Sequence, residues 1–103
     1  MLEGEIALVT GASRGIGRAI LIALAKQGAA VAGTATTEGG AAAIDQALRE
    51  AGHTGMGLVL DVADPASVEA ALARVGEVLG PPTVLVNNAG ITRDALLMRM
   101  KDE

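Results

Sequence analysis

Short apolar runs and longer stretches of helical period alternate along this chain. Ile6-Ala7-Leu8-Val9 is too short for a helix, and no polar residue interrupts it, as suits a strand covered on both faces. A helical pattern follows from Arg18 to Gln27, with Ile16, Ile20, Leu24, Ala19 and Ala23 marking its expected buried face and Gly28 closing it. Ala29 to Ala35 reads as a second strand of small residues, and Thr36-Thr37-Glu38-Gly39-Gly40 carries turn chemistry. Ala43, Ile44, Ala47, Leu48 and Ala51 stripe a second helix that stops at Gly52. Met56 to Leu60 forms a third strand ending at Asp61, and Asp64-Pro65 starts a helix with a capping residue and a proline at its first position. Val68, Ala71, Leu72, Val75 and Leu79 line that third helix until Gly80-Pro81-Pro82 ends it. Val84-Leu85-Val86 is a fourth strand running into Asn87-Asn88-Ala89-Gly90. Asp94 to Met100 begins one more helical pattern, with Leu96, Leu97 and Met100 on one side.

Strand and helix alternating in this way predict an α/β fold with a parallel sheet and helices on both faces. Right-handed crossovers limit the topology to a Rossmann-type three-layer sandwich with sheet order 3-2-1-4. At 103 residues the chain is one unit, residues 1–103, without linkers or repeats.

The stretch Val9-Thr10-Gly11-Ala12-Ser13-Arg14-Gly15-Ile16-Gly17 then acquires a meaning. A strand that turns through glycines into a helix gathers free backbone N–H groups and the positive helix end at one point, which suits a phosphate. Gly11 serves the sharp turn, Gly15 a close approach of backbone to the anion, and Gly17 tight helix–strand packing. In such sheets ligands bind beyond the carboxyl ends of the strands, and every polar cluster falls at one of those ends. Asp61 can accept a hydrogen bond from an exocyclic base amine, or cap its own turn. The second strand ends in Ala35, Thr36 and Thr37 with no carboxylate to bind a ribose 2′-hydroxyl. With Arg14 in the glycine turn, that end favours a 2′-phosphorylated cofactor, NADP(H). Asn87-Asn88-Ala89-Gly90 is either a plain turn or a set of carboxamides tying strand ends together and reaching a ribose.

Composition removes other chemistries. With no Phe, Tyr or Trp, no ring can stack on a base and no tyrosine can act as an acid. No cysteine is present, so disulfides, thiolate metal sites and cysteine nucleophiles are excluded. His53 sits in a surface loop with no second ligand nearby, and no metal site is expected. A formal charge of −4 gives no reason to expect nucleic acid or an anionic membrane as partner. No apolar run approaches the ~20 residues of a membrane span, and the start is acidic, so an intracellular setting is expected. Met98 and Met100 read as packing residues. Arg93, Arg99 and Lys101 are too mixed with acids to form a patch.

Thr10-Gly11-Ala12-Ser13-Arg14-Gly15-Ile16-Gly17, Asp61-Val62 and Asn87-Asn88-Ala89-Gly90, in that order and spacing, resemble the short-chain dehydrogenase/reductase pattern. The segments Gly33-Thr34-Ala35-Thr36 and Gly90 to Lys101 are especially similar to the bacterial 3-oxoacyl-acyl-carrier-protein reductases of that family. The resemblance implies that Gly11, Ala12, Ser13, Arg14, Ile16 and Gly17 hold the pyrophosphate and adenosine-ribose region. It places Thr36 near the 2′-phosphate, Asp61 and Val62 around the adenine, and Asn88, Ala89 and Gly90 on the ribose and nicotinamide side. It further implies a cytoplasmic homo-oligomer acting on acyl-carrier-protein-bound substrates. The family's catalytic Ser and Tyr-x-x-x-Lys have no counterpart here, since the chain has no tyrosine and its lysines are Lys26 and Lys101 alone. The resemblance therefore implies a cofactor-binding half-domain without catalytic residues, cut in the helix after strand four. Strand four would then be an open sheet edge, inviting self-association.

Overall fold

A computed structural model describes residues 1–88 and the backbone of a strand at Leu96–Arg99. Strands β1 (Ile6–Val9), β2 (Ala30–Ala35), β3 (Gly55–Val59) and β4 (Val84–Asn87) are parallel. With β5 (Leu96–Arg99) they form one sheet in the order β3-β2-β1-β4-β5. The expected 3-2-1-4 arrangement is therefore present. Val9 lies opposite both Gly33 and Val86, and Ala35 opposite Val59, so the carboxyl ends of the four parallel strands come out on one side.

Alternation along each strand sends residues to two layers. Ala7, Val9, Val31 and Val86 face the same core as Leu21 and Ala25 of α1 (Gly15–Lys26) and Ile44 and Leu48 of α2 (Glu38–Glu50). Leu8 and Ala32 face α3 (Pro65–Val78), where Val75 is the buried anchor. Ile6, Met56, Leu58, Leu72, Leu79 and Leu85 are only half-buried around that smaller core. The helices do cover both faces, but unequally.

Three local expectations shift. Helix α1 begins at Gly15, and its buried line is Gly17, Leu21 and Ala25, while Ile16, Ala19 and Ala23 are exposed and Ile20 and Leu24 half-buried. Its segment carries apolar residues on more than one side, so periodicity alone does not fix the rotation. The contact at Gly17 described below does. Helix α2 begins at Glu38 inside the predicted turn, because the Thr37 hydroxyl accepts the Gly40 N–H at 3.0 Å and caps it. The third correction concerns the segment from Asp94 to Met100. Where a helix was expected, Leu96–Arg99 pairs antiparallel with β4, Asn87 opposite Leu96 and Val84 opposite Arg99. Seven residues of helical pattern are too few to hold a helix by themselves, whereas the edge of β4 offers a row of backbone partners. Strand β4 is thus covered, and the open-edge expectation for it is withdrawn.

Helix α3 matches its sequence signals. Asp64 Oδ1 accepts the Ala66 N–H at 3.0 Å, and Pro65 occupies the first turn. Asp64→Ala should cost about 1 kcal/mol in urea unfolding. An unchanged midpoint would mean that the cap is idle. No helix among the described residues is long and apolar enough to cross a membrane.

Candidate cofactor-binding site

The turn between β1 and α1 lies at the carboxyl end of the central strand. Gly11 and Gly15 adopt φ of +64° and +65°, the left-handed region that glycine enters without strain. A side chain at Gly15 would meet nothing within 4 Å, so that point is open space beside the backbone, as an approaching anion needs. Gly17 is the opposite case. A Cβ there would fall on the Gly11 carbonyl oxygen and lie 2.8 Å from Asn88 Nδ2. The tight packing read for Gly17 and the sharp turn read for Gly11 are both present, while Gly15 faces open space.

Neighbouring strand ends fix the turn. The Asn88 N–H donates to Thr10 Oγ1 at 2.8 Å, and Asn88 Nδ2 donates to the Gly11 carbonyl at 3.1 Å. The Thr10 N–H donates to the Val86 carbonyl at 3.0 Å, and its hydroxyl lies 3.3 Å from Asn87 Oδ1. Of the two readings of the Asn-Asn turn, tying the strand ends together is realised in these bonds. On the other side, the Gly11 N–H donates to Thr34 Oγ1 at 3.2 Å and the Ala12 N–H to the Thr34 carbonyl at 2.7 Å. Arg18 reaches back from α1, its Nε 3.1 Å from the Ala12 carbonyl and a terminal nitrogen 2.8 Å from that of Ser13. Thr10, Thr34 and Arg18 were absent from the expected site residues. Thr10 and Thr34 lie in the motif segments at the ends of the first two strands, which mark the place but assign them no role. Nothing local marks Arg18. Each acts through a bond to backbone outside its own element.

The remaining expected residues gather around this turn. Ser13 sits beside the first turn of α2, where a Cβ on Gly40 would lie 3.4 Å from Ser13 Cβ and 3.2 Å from Thr37 Oγ1. Thr36 is exposed at the end of β2, and Arg14 is exposed at the start of α1. Among the described residues no acid pairs with Arg14. Ile16 is 68% exposed, a large apolar side chain held out in front of the helix. Asp61 Oδ1 accepts the Ala63 N–H at 3.0 Å, so this carboxylate does cap its own turn. Its other oxygen meets no donor among the described residues. Val62 and Leu60 join Leu8, Val68, Leu72 and Leu85 around a mainly apolar cleft of about 200 Å³. It opens beside the ends of β1 and β4. Ala89 and Gly90 lie outside the described residues, as do Arg93, Met100 and Lys101 and the side chains of Met98 and Arg99. His53 is half-buried in the loop before β3, and no metal-binding group of acids and histidine occurs among the described residues.

The glycine turn, the acid-free end of the second strand and the apolar cleft form a row at the carboxyl ends of the strands. The donors of α1's first turn, which no helix can satisfy internally, point out from its middle.

Comparison with known proteins gives this row a family. The chain is 62% identical over 102 residues to the 3-oxoacyl-[acyl-carrier-protein] reductase FabG of Vibrio harveyi, covering 99% of this chain and 41% of that protein. It is 62% identical over 101 residues to the enzyme of the same name from Escherichia coli (strain K12), and 56% identical over 102 residues to that of Pseudomonas aeruginosa. The chain thus spans about two fifths of the length of these relatives, 41% and 40% of the first two. The short chain dehydrogenase model matches residues 5–103, from just before β1 through β5. The chain belongs to the short-chain dehydrogenase family.

Proposed function

We propose that this chain is the NADP(H)-binding portion of a 3-oxoacyl-acyl-carrier-protein reductase, an oxidoreductase of fatty-acid synthesis. The observation that carries the cofactor choice is the end of β2. Ala35, Thr36 and Thr37 leave no carboxylate to repel a 2′-phosphate, and Arg14 and the start of α2 lie on the same side. The protein residues fit the cofactor along its length. Ser13, Arg14, Ile16 and Gly17 border the pyrophosphate, with Gly11 and Ala12 shaping the bend beneath it. Thr36 and Arg14 take the 2′-phosphate, and Asp61 and Val62 flank the adenine at the apolar cleft. Asn88, followed by Ala89 and Gly90, stands on the ribose and nicotinamide side.

NADPH supplies a hydride to the ketone in such a reductase, and the 3-hydroxyacyl product remains on the carrier protein. In the same family a tyrosine protonates the ketone oxygen, and these 103 residues contain none. The reading therefore assigns this chain binding and orientation of the cofactor, with no turnover of its own. A parent acting on acyl-carrier-protein-bound substrate belongs to the same proposal, supported by the names of the relatives, and a cytoplasmic, homo-oligomeric parent is what the family resemblance adds to it.

Fluorescence titration with NADPH and NADH tests it. NADPH should bind, and more tightly than NADH. Absence of NADPH binding at millimolar concentration would sink the cofactor reading. NADPH oxidation with an acetoacetyl thioester by this chain would overturn the assignment of binding without turnover.

A further inference from the structure

We propose that Thr34 and Arg18 are positioning residues that select which backbone N–H groups the glycine turn offers to the pyrophosphate. The inference rests on the dinucleotide reading above and adds a mechanism to it. Thr34 is 1% exposed, and it occupies both N–H groups at the bend: its hydroxyl accepts from Gly11 and its carbonyl from Ala12. Those two donors are thereby withheld from any ligand. Gly11 and Ala12 then contribute shape to the site, not hydrogen bonds.

Arg18 acts on the next two peptides from the helix side. Its guanidinium draws the carbonyls of Ala12 and Ser13 toward itself, at 3.1 Å and 2.8 Å. In a trans peptide the carbonyl of one residue and the N–H of the next point in opposite directions, and the described chain has no cis bond. Holding the Ala12 carbonyl therefore aims the Ser13 N–H away from Arg18. Holding the Ser13 carbonyl does the same for Arg14. The two donors face outward together, continuous with the free donors of α1's first turn. An anion then meets an ordered set of N–H groups without first having to arrange them, and the ordering entropy is spent on folding.

The clamp depends on the fork of an arginine and the hydroxyl of a threonine. A lysine keeps the charge of Arg18 but cannot hold two carbonyls in one plane. The variants are Arg18→Lys, Thr34→Val, which keeps the shape and removes the hydroxyl, and Thr34→Ser, which restores it. Equilibrium NADPH titration well below the melting temperature should show affinity about tenfold weaker for Arg18→Lys and Thr34→Val. Thr34→Ser should bind within about twofold of the unsubstituted protein. A lowered melting temperature with unchanged NADPH affinity in both variants would make the two residues merely structural and overturn the proposal. Arg18→Lys binding as tightly as arginine would reduce Arg18 to its charge, with the same consequence. If Thr34→Val does not fold, Arg18→Lys decides alone. If the unsubstituted protein does not bind NADPH, the cofactor reading falls and this inference with it. Equal binding by all variants overturns the inference alone.

Discussion

Gly17→Ala should destabilise the protein by about 3 kcal/mol or more, although alanine is the better helix former. On an exposed helix the same exchange would gain up to about 1 kcal/mol. Here the added carbon falls on the Gly11 carbonyl oxygen and lies 2.8 Å from both the Gly11 carbonyl carbon and Asn88 Nδ2. Two of these three atoms are backbone in a turn held from both sides, so they cannot rotate aside as the end of a flexible side chain would. Either α1 lifts from β1 or the bond from Asn88 to Gly11 breaks. Both changes open the first core layer and distort the proposed pyrophosphate seat. Since domains of this size hold on the order of 5–15 kcal/mol in total, the loss is a large share. Urea unfolding measures it. Gly39→Ala is the internal control: it sits in the first turn of α2 with nothing within 4 Å of the added carbon, and should be neutral or slightly stabilising. A loss below about 1 kcal/mol for Gly17→Ala would show that the turn yields more easily than its bonds suggest.

The second large effect concerns cofactor choice. Thr36→Asp should weaken NADPH binding by about 100-fold and strengthen NADH binding by a few-fold. A carboxylate at the end of β2 can accept both hydroxyls of an unmodified ribose, while it stands against the charge of a 2′-phosphate. Two like charges about 4 Å apart at an effective dielectric of 20 repel by about 4 kcal/mol; at an exposed position roughly 3 kcal/mol remains, or two decades of affinity. Thr36 is exposed and makes no side-chain bond to a described residue, so the substitution should leave stability unchanged. Titration of the variant with both cofactors measures the reversal. Unchanged NADPH affinity would remove Thr36 from the 2′-phosphate site and leave Arg14 and the start of α2 to account for any preference.

Much of this architecture is legible in the sequence because it depends on short-range patterns. Apolar runs marked the strands, and Asp64-Pro65 and Gly80 bounded α3 where the structure has it. The glycine turn, Asp61 and Asn88 fell at strand ends, which the parallel topology then brought together. What was illegible depends on pairings far apart in the chain. The rotation of α1 is set by Gly17 against Gly11 and Asn88, while its own segment offers apolar residues on several sides. Thr34 stands out in the sequence within Gly33-Thr34-Ala35-Thr36 at the end of the second strand, but its role depends on its hydroxyl meeting Gly11, 23 positions earlier. Leu96 to Arg99 carried a helical pattern that lost to the free edge of β4. Asp61 was open between two roles, and the structure shows the capping one in use while one oxygen remains available.

The bond from the Asn88 N–H to Thr10 joins residues 78 positions apart, and that separation sets a timetable. At a synthesis rate of about 5–20 residues per second, the glycine turn leaves the ribosome roughly 4–16 seconds before the strand that closes it. Strand β1 can pair with β2 meanwhile, but its other edge and the Gly11 carbonyl must wait for β4. During that interval a nascent chain carries β1 with one edge bare and the turn tethered from one side only. The proposed cofactor seat, early in the order of residues, is thus among the last parts to be completed.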